Sequence, residues 1–239
     1  MKISRLLMTA IFSFVGVLAV AQSWMMQPQG PVNEFSAMEG TSVLNYNFQV
    51  ERNIHSRAGN GPVFYIFPDC KLDNNQALEL AENLDLVNII KEYGGRIMVV
   101  NPSSDKWQEQ DLEDFRKLIG MGSSPTNVKV IGIGSGATFV NRQLVATELA
   151  GVIAGIVSID GEPGKICRLP VPAFIGGKNA AKAAKPYQTT SDSAPADPLQ
   201  KVVVNTDKKA SLETLFAEAW DKVLSANYRY NNLYRTFYM

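Results

Sequence analysis

The sequence has 239 residues, the length of one domain or of one domain with extensions. Hydrophobic residues make up 46% and charged residues 19%, so the chain can form a buried core and is unlike a disordered protein. Lys plus Arg and Asp plus Glu each number 23, and this balance gives no electrostatic footprint for nucleic acid. The single histidine, His55, excludes most zinc sites built on paired histidines and restricts any Ser-His-Asp mechanism to that residue.

The first 21 residues have the pattern of a secretory signal peptide. Lys2 and Arg5 form a short basic head, and an almost wholly apolar run follows. Small residues at Ala19 and Ala21 form an A-x-A cleavage site at its end. The run is shorter than the ~20 residues that span a bilayer. We therefore expect export to the periplasm or the extracellular space, with no membrane span left after cleavage.

The segment behind the signal peptide is predicted to lead irregularly into the domain. Residues 22–42 are rich in Gln, Pro, Gly and Met, and the domain itself is assigned to residues 43–239. Apolar and polar side chains alternate from Leu44 to Val50, which predicts a strand with one wet face at the edge of a sheet. His55 lies in the polar loop that follows and is interpreted as an exposed loop residue.

Short apolar runs then alternate with amphipathic segments. Strands buried on both faces are predicted at residues 63–67, 97–100, 128–133, 153–159 and 171–175, with a shorter one at 201–205. Helices are predicted from Asp73 to about residue 93, around residues 112–119, from the glycine-rich turn to about residue 149, and after Ser211. This alternation predicts an α/β fold, a three-layer sandwich whose central sheet is mostly parallel. Residues 178–200, rich in Ala, Lys, Ser, Thr and Pro, are predicted to be a mobile excursion.

The run at 128–133 leads into a glycine-rich turn that has two interpretations. In the first, Gly132, Gly134 and Ala137 fit the dinucleotide fingerprint G-x-G-x-x-A. Asp160 then ends the next strand, where an acid would meet a ribose hydroxyl. The turn lies in mid-chain, however, and nicotinamide cofactors are scarce outside the cell. We therefore expect no cofactor and keep dinucleotide binding as a third possibility.

In the second interpretation the turn is a nucleophile elbow, in which a strand turns sharply into the helix that follows. The segment VKVIGIGSGATFVNRQL, the strand order and the later VPAFIGGKN resemble the α/β-hydrolase superfamily over residues 43–225. The resemblance is closest to secreted esterases related to polyhydroxybutyrate depolymerases and feruloyl esterases. It implies an α/β-hydrolase-like fold and hydrolysis of small-molecule or polysaccharide esters by a Ser-His-Asp triad.

The positions that this resemblance assigns to catalysis hold unusual residues. In the G-x-nucleophile-x-G register the nucleophile's position is Gly134, and only a shift of one residue makes Ser135 the nucleophile. Asn179 stands where the catalytic acid is expected, and residues 201–239 contain no histidine for the base. The loop that supplies oxyanion donors contains Asp69, whose carboxylate would oppose a developing negative charge.

These departures favour a non-catalytic relative that binds a ligand or partner at the cleft above Gly134. Candidate residues of that cleft lie where predicted parallel strands end, the place where α/β folds bind ligands. They are Asp69, Cys70, Asp160 and Glu162. An active serine esterase that uses Ser135 with an unrecognised base is the alternative function. No pattern of metal-ligating residues occurs in the sequence.

The sequence leaves two further features open. Cys70 and Cys167 are the only cysteines, and in an oxidising compartment they either pair or remain free. Whether a disulfide forms depends on the distance between their Cα atoms, and no sequence pattern predicts that distance. The stretch from Tyr228 to Met239 is aromatic and basic, and it either packs on the domain or stacks on sugars or a partner.

Overall fold

The computed structural model describes residues 33–38, 41–48, 62–93, 95–121, 128–192 and 201–225. Eight strands in these segments form one sheet in the order β1-β2-β4-β3-β5-β6-β7-β8. They are β1 (Asn33–Met38), β2 (Thr41–Phe48), β3 (Val63–Phe67), β4 (Gly95–Val100), β5 (Val128–Ile133), β6 (Ile153–Ile159), β7 (Ala173–Gly176) and β8 (Val202–Asn205). Strand β2 is antiparallel to both of its neighbours. The other six strands of the sheet, in the order β4-β3-β5-β6-β7-β8, are parallel to one another.

The connections between the parallel strands are mostly helical. The helices are α1 (Asn74–Asn83), α2 (Leu86–Tyr93), α3 (Glu109–Met121), α4 (Ser135–Phe139), α5 (Ala180–Ala183), α6 (Lys185–Asp192) and α7 (Leu212–Ala219). Helices α4 and α7 continue as π-helical turns over Val140–Leu144 and Trp220–Leu224, and a 3₁₀ turn covers Glu148–Val152. Asp73 caps α1 as the sequence predicts, since its carboxylate accepts the backbone N–H groups of Asn75 and Gln76.

A separate hydrophobic cluster covers each face of the sheet. Tyr65 and Phe67 point into the cluster that contains Phe115, whereas Phe64 and Ile66 point into the other one. All seven residues of β6, Ser158 among them, are buried, which is why the strand shows no alternation of apolar and polar side chains. The predicted fold class, a three-layer α/β sandwich with a mostly parallel sheet, is confirmed.

The N-terminal part of the sheet differs from the prediction. Strand β1 lies within the segment 22–42 that was expected to be irregular, and β2 begins at Thr41. The alternating strand is therefore not at the edge, because β1 pairs with its outer side. Strand β1 was missed because NEFSAM is too short, and too mixed in composition, to show a period of two.

The helical connections also differ in two places. Asp85 has a φ of +56°, and this left-handed residue divides the single helix predicted behind Asp73 into α1 and α2. Residues 180–192, expected to be part of a mobile excursion, form α5 and α6 instead. Tyr187 of α6 is fully buried, so this segment belongs to the core rather than to a loop. Residues 193–200 lie outside the described residues.

Several predicted features fall on segments that the structure does not describe. They are the signal peptide, the loop that contains His55, and the aromatic stretch behind Tyr228. Among the described helices, none combines the length and the apolar character needed to cross a bilayer.

Candidate functional site

The candidate site lies where the strands β3 and β5 end. Strand β3 has β4 on one side and β5 on the other, so the connections from β3 and β4 place the next strands on opposite sides. Such a switch point opens a crevice at the carboxyl ends of the two central strands, and α/β folds bind ligands there. Asp69 follows β3 and Ser135 follows β5, so both residues lie at this crevice.

The turn from β5 into α4 is tight and requires three glycines. Gly134 has φ +56° and ψ −116°, a conformation that residues with a Cβ atom rarely adopt. A Cβ atom on Gly132 would lie 2.6 Å from the Cα of Ala137, and one on Gly136 would lie 2.1 Å from the carbonyl oxygen of Phe67. The helix therefore starts directly against the end of β3. The residue with the strained backbone is Gly134, and Ser135 is the exposed first residue of the helix.

Asp69 reaches across from β3 and occupies the space above this turn. Its Oδ1 accepts the backbone N–H of Ser135 at 2.6 Å, and its backbone carbonyl accepts a short hydrogen bond from the Ser135 hydroxyl. A Cβ atom on Gly134 would lie 2.2 Å from the same Oδ1. The carboxylate thus fills the volume that a nucleophile's side chain at position 134 would need.

The loop that carries Asp69 is held on both sides. The indole Nε1 of Trp107 donates to the carbonyl of Pro68 at 3.1 Å, and the Trp107 ring stacks on Phe139 with the centroids 4.7 Å apart. On the other side, the buried Asn101 accepts the N–H of Leu72 at 3.0 Å and donates to its carbonyl at 2.7 Å. These contacts fix the position of Asp69 relative to the turn. Trp107 and Asn101 were not singled out from the sequence, because nothing in their neighbourhood marks them.

The arrangement has a direct chemical consequence. In a nucleophile elbow, the N–H that follows the nucleophile donates to the oxyanion of the tetrahedral intermediate. Here that N–H belongs to Ser135, and a carboxylate of the same chain accepts it. An oxyanion formed at this point would meet the negative charge of Asp69 instead of a free donor, so the transition state would be destabilised rather than stabilised.

The turn after β6 places a carboxylate over the glycine that follows β7, as Asp69 lies over Gly134. Asp160 has a φ of +57° and its Oδ1 accepts the N–H of Lys178 at 2.9 Å. Gly177 has a φ of +95°, and a Cβ atom on it would lie 2.3 Å from that Oδ1. A carboxylate therefore lies over a left-handed glycine and accepts the N–H of the residue that follows, as Asp69 does with Gly134 and Ser135.

Backbone hydrogen bonds join these turns into one row. The N–H of Gly134 donates to Ile159, that of Asp160 to Gly176, and that of Gly177 to Asn205, at 2.9, 3.0 and 3.1 Å. Each left-handed residue thus extends the ladder between two parallel strands by one bond. The row fixes the spacing of the groups along the carboxyl edge of the sheet.

Glu162 and Asn179 are brought into contact at this edge. Asn179 donates from Nδ2 to Glu162 Oε1 at 2.8 Å. The backbone N–H of Glu162 donates to Thr138 Oγ1 at 2.9 Å, and the Thr138 hydroxyl donates to the carbonyl of Gly134 at 3.1 Å. Thr138 therefore links this pair to the turn at Gly134. The sequence offered no signal for Thr138, which is one of several small residues in the helix.

A buried pair supports the Glu162 loop from below. Asn141 donates from Nδ2 to the carbonyl of Glu162 at 2.9 Å, and its Oδ1 accepts the hydroxyl of Tyr187 at 2.8 Å. Burial raises the pKa of Tyr187 well above its ordinary value of 10.0, so the hydroxyl remains a donor at any working pH. Asn141 was missed in the sequence because one polar residue in a helix normally faces solvent.

The two cysteines are free. Cys70 is exposed beside Asp69, whereas Cys167 is buried and contacts the carbonyl of Leu169 through its sulfur at 3.1 Å. Burial raises the pKa of the Cys167 thiol to about 12, which makes it unreactive at neutral pH. The sequence left open whether Cys70 and Cys167 form a disulfide, and the structure shows that they do not.

The ligands of a metal ion, or the histidine of a triad, would have to be supplied by other residues near the site. In the part of the chain that the structure describes, no group of three or more His, Cys, Asp or Glu side chains is arranged to hold a metal ion. The loop between β8 and α7, where the base of a triad is expected, contains no histidine. His55, the one histidine of the chain, lies outside the described residues.

Known proteins resemble this chain in fold rather than in sequence. The sequence matches no protein-family model and no curated protein. An α/β-hydrolase enzyme from a Medee basin deep-sea metagenome library superimposes with a TM-score of 0.54 at 15% identity, covering 86% of this chain and 95% of that chain. An uncharacterised protein from Capnocytophaga ochracea DSM 7271 superimposes with a TM-score of 0.51 at 14% identity, covering 79% and 62%. The fold of this chain is therefore α/β-hydrolase-like.

Proposed function

We propose that this chain is an exported α/β-hydrolase-like protein without a working catalytic triad, and that it binds a ligand or partner at the carboxyl edge of its sheet. The observation that carries the proposal is the contact between Asp69 and the N–H of Ser135. A group that must stabilise an oxyanion is here bonded to a fixed negative charge. Fold alone does not decide function, so the proposal depends on this site.

The positions of the triad support the same conclusion. Gly134 has the backbone conformation of the turn but no side chain, and Asp69 occupies the space in which one would lie. The Asn179 side chain is a neutral amide, which donates an N–H to Glu162, and a neutral group cannot supply the negative charge that stabilises an imidazolium. Each missing part typically costs at least ~100-fold in rate. Their combined loss leaves binding as the activity that the site favours.

An active esterase that uses Ser135 is the alternative. Ser135 is exposed at the start of α4, as a nucleophile has to be. Its hydroxyl donates to the backbone carbonyl of Asp69, which cannot take up a proton as a general base does. Dinucleotide binding is the third possibility, and the carboxylate of Asp69 opposes it because a pyrophosphate would need the same N–H.

The exposed groups at the carboxyl edge suggest the class of ligand. Asp69, Asp160 and Glu162 each have one carboxylate oxygen in a hydrogen bond within the row or the pair described above. Their exposed carboxylates favour a ligand with hydroxyl or other donor groups over an anion. A small molecule or a polysaccharide ester held without turnover is the ligand that we propose.

Turnover of short-chain aryl esters by the purified mature chain tests the proposal. We expect a rate no higher than that of the Ser135→Ala variant, which is folded alike because position 135 is at the surface. A rate that the Ser135→Ala change abolishes would establish the esterase alternative. Export is tested separately by intact mass: the secreted chain is expected to begin at Gln22, and an intact Met1 would refute cleavage.

A further inference from the structure

Lys129 is a buried lysine and the second residue of the strand β5. Its side chain is 1% exposed, and its partners in register are Phe64 on β3 and Gly155 on β6. Lysine is almost never fully buried unless it is paired. None of the functional groups at the carboxyl edge contacts it, so the candidate site does not explain its presence.

The side-chain amine of Lys129 binds the end of the last described helix. Its Nζ donates a short hydrogen bond to the backbone carbonyl of Leu224, the final residue of the π-helical turn that continues α7. Carbonyls at a helix C-terminus lack intrahelical partners, so the amine supplies a donor that the helix itself cannot. Lys129 thus joins the centre of the sheet to the C-terminal end of this helix.

The helix end lies directly on the sheet beside this lysine. A Cβ atom on Gly155 would lie 2.9 Å from the Cδ2 of Leu224 and 3.9 Å from the Cγ1 of Val223. The glycine therefore allows the close approach that brings the Leu224 carbonyl within reach of Nζ. Trp220, earlier in the same turn, packs against Phe64 with the ring centroids 6.1 Å apart.

No carboxylate compensates the charge of Lys129 within the described residues. The last helix carries Glu218, Asp221 and Lys222 towards solvent, where Glu218 and Lys222 pair at 2.5 Å. Strand β6 has no titratable residue, and Tyr65 of β3 points into the opposite hydrophobic cluster. Burial alone lowers the pKa of Lys129 from 10.5 to about 7.

We propose that Lys129 is a pH-sensitive latch that holds the segment 212–225 on the sheet. The neutral amine is stable in its apolar surroundings and still donates to Leu224. The ammonium form is destabilised there and gains hydration when the segment opens. Opening is therefore least favourable above the pKa of a hydrated lysine, about 10.4, and becomes easier as pH falls to about 7. Below that pH the amine is charged in both states, and no further change is expected.

The latch would also act on the carboxyl edge of the sheet. Leu215 of α7 packs over Gly176, since a Cβ atom there would lie 3.3 Å from the leucine Cδ2. Glu218 of the same helix accepts the side-chain amide of Asn205, the last residue of β8, at 2.5 Å. Opening of the segment 212–225 would remove both contacts and loosen the ends of β7 and β8. These packing contacts are present whether or not the edge binds a ligand.

Amide hydrogen exchange of the full mature chain at pH 6 and pH 9, corrected for intrinsic rates, tests the latch. We expect the opening constant of the segment 212–225 to be on the order of 100-fold larger at pH 6. Lys129→Met is expected to abolish this pH dependence, and Lys129→Gln to abolish it while keeping a neutral donor to Leu224. Lys182→Met, which removes an exposed lysine of α5, is the matched control and should keep it.

Two results would overturn the latch. In the first, the pH dependence persists in both Lys129 variants, which would assign it to another group. In the second, the segment 212–225 is as strongly protected at pH 6 as strand β6, so that it opens only when the whole protein unfolds. Amide hydrogen exchange gives both results without any measurement of ester turnover or ligand binding.

Discussion

The Oδ1 atom of Asp69 lies 2.2 Å from the place that a Cβ atom on Gly134 would occupy. The two residues are far apart in sequence, and β3 and β5 bring them together as neighbours in the sheet. The contact links two features that a hydrolase would not combine: a turn without a side chain, and a carboxylate that accepts the N–H of Ser135. The proposed loss of catalysis depends on this pair.

The pair predicts non-additive effects on stability. Gly134→Ala should lower the free energy of unfolding by about 1–3 kcal/mol, because it forces a Cβ atom into a left-handed backbone and against Asp69. In an Asp69→Ala background the backbone strain remains but the clash is gone, so the cost should be smaller by about 1 kcal/mol. Urea unfolding of the four variants measures this coupling, and strictly additive changes would refute the contact.

The turn after β6 predicts a difference between two substitutions of Asp160. Asp160→Asn should be nearly neutral, because asparagine tolerates a positive φ and its carbonyl oxygen can accept the N–H of Lys178. Asp160→Ala should lower the free energy of unfolding by about 1–3 kcal/mol, since it keeps the strain and removes the acceptor. Equal effects of the two variants in chemical denaturation would contradict this account of the turn.

The buried pair of Asn141 and Tyr187 predicts a measurable loss on removal of one hydroxyl. Tyr187→Phe leaves the Oδ1 of Asn141 without its donor in the core, which should cost about 1–3 kcal/mol of unfolding free energy. Thermal unfolding gives the measurement. In an Asn141→Ala background, Tyr187→Phe should lower the free energy of unfolding by a smaller amount. An equal loss in both backgrounds would show that the Tyr187 hydroxyl stabilises the protein through a partner other than Asn141.

The cysteines predict a simple thiol titration. Cys70 should react with an aromatic disulfide reagent in the native protein, because its side chain is exposed. Cys167 should react only after unfolding, since it is buried and its pKa of about 12 keeps the thiol protonated. The Cys70→Ser variant should show no fast reaction in the native state. A native chain without reactive thiols would instead indicate a disulfide and a different arrangement of these loops.

The parallel core of the fold could be predicted because its strands carry a strong signal. Strands such as β6 are buried on both faces, and a strand with apolar residues at both odd and even positions requires such an environment. The split between α1 and α2 could not be predicted, since Leu84-Asp85-Leu86 contains neither Gly nor Pro and the left-handed Asp85 leaves no mark. Strand β1 depends on pairing with β2, which is a property of the sheet rather than of its own six residues.

The candidate site could be predicted in position but not in its contacts. Asp69, Asp160 and Glu162 were singled out because they follow predicted strands, and Ser135 because it lies in the turn that resembles a nucleophile elbow; all four lie at the carboxyl edge. The bonds between them depend on the register of neighbouring strands, which pairs Phe67 with Gly132 and has no counterpart in a local pattern. Lys129 illustrates the same limit, since its acceptor lies 95 residues away along the chain.

Labelling by a fluorophosphonate probe tests the proposed loss of catalysis most directly. Such a probe reacts with a serine only when a base activates the hydroxyl and donors stabilise the phosphoryl oxygen. For the purified protein we expect no labelling, and none for Gly134→Ser, which adds a hydroxyl but no base or acid. Labelling of the unmodified chain that Ser135→Ala abolishes would contradict the account and identify Ser135 as the nucleophile of an active esterase.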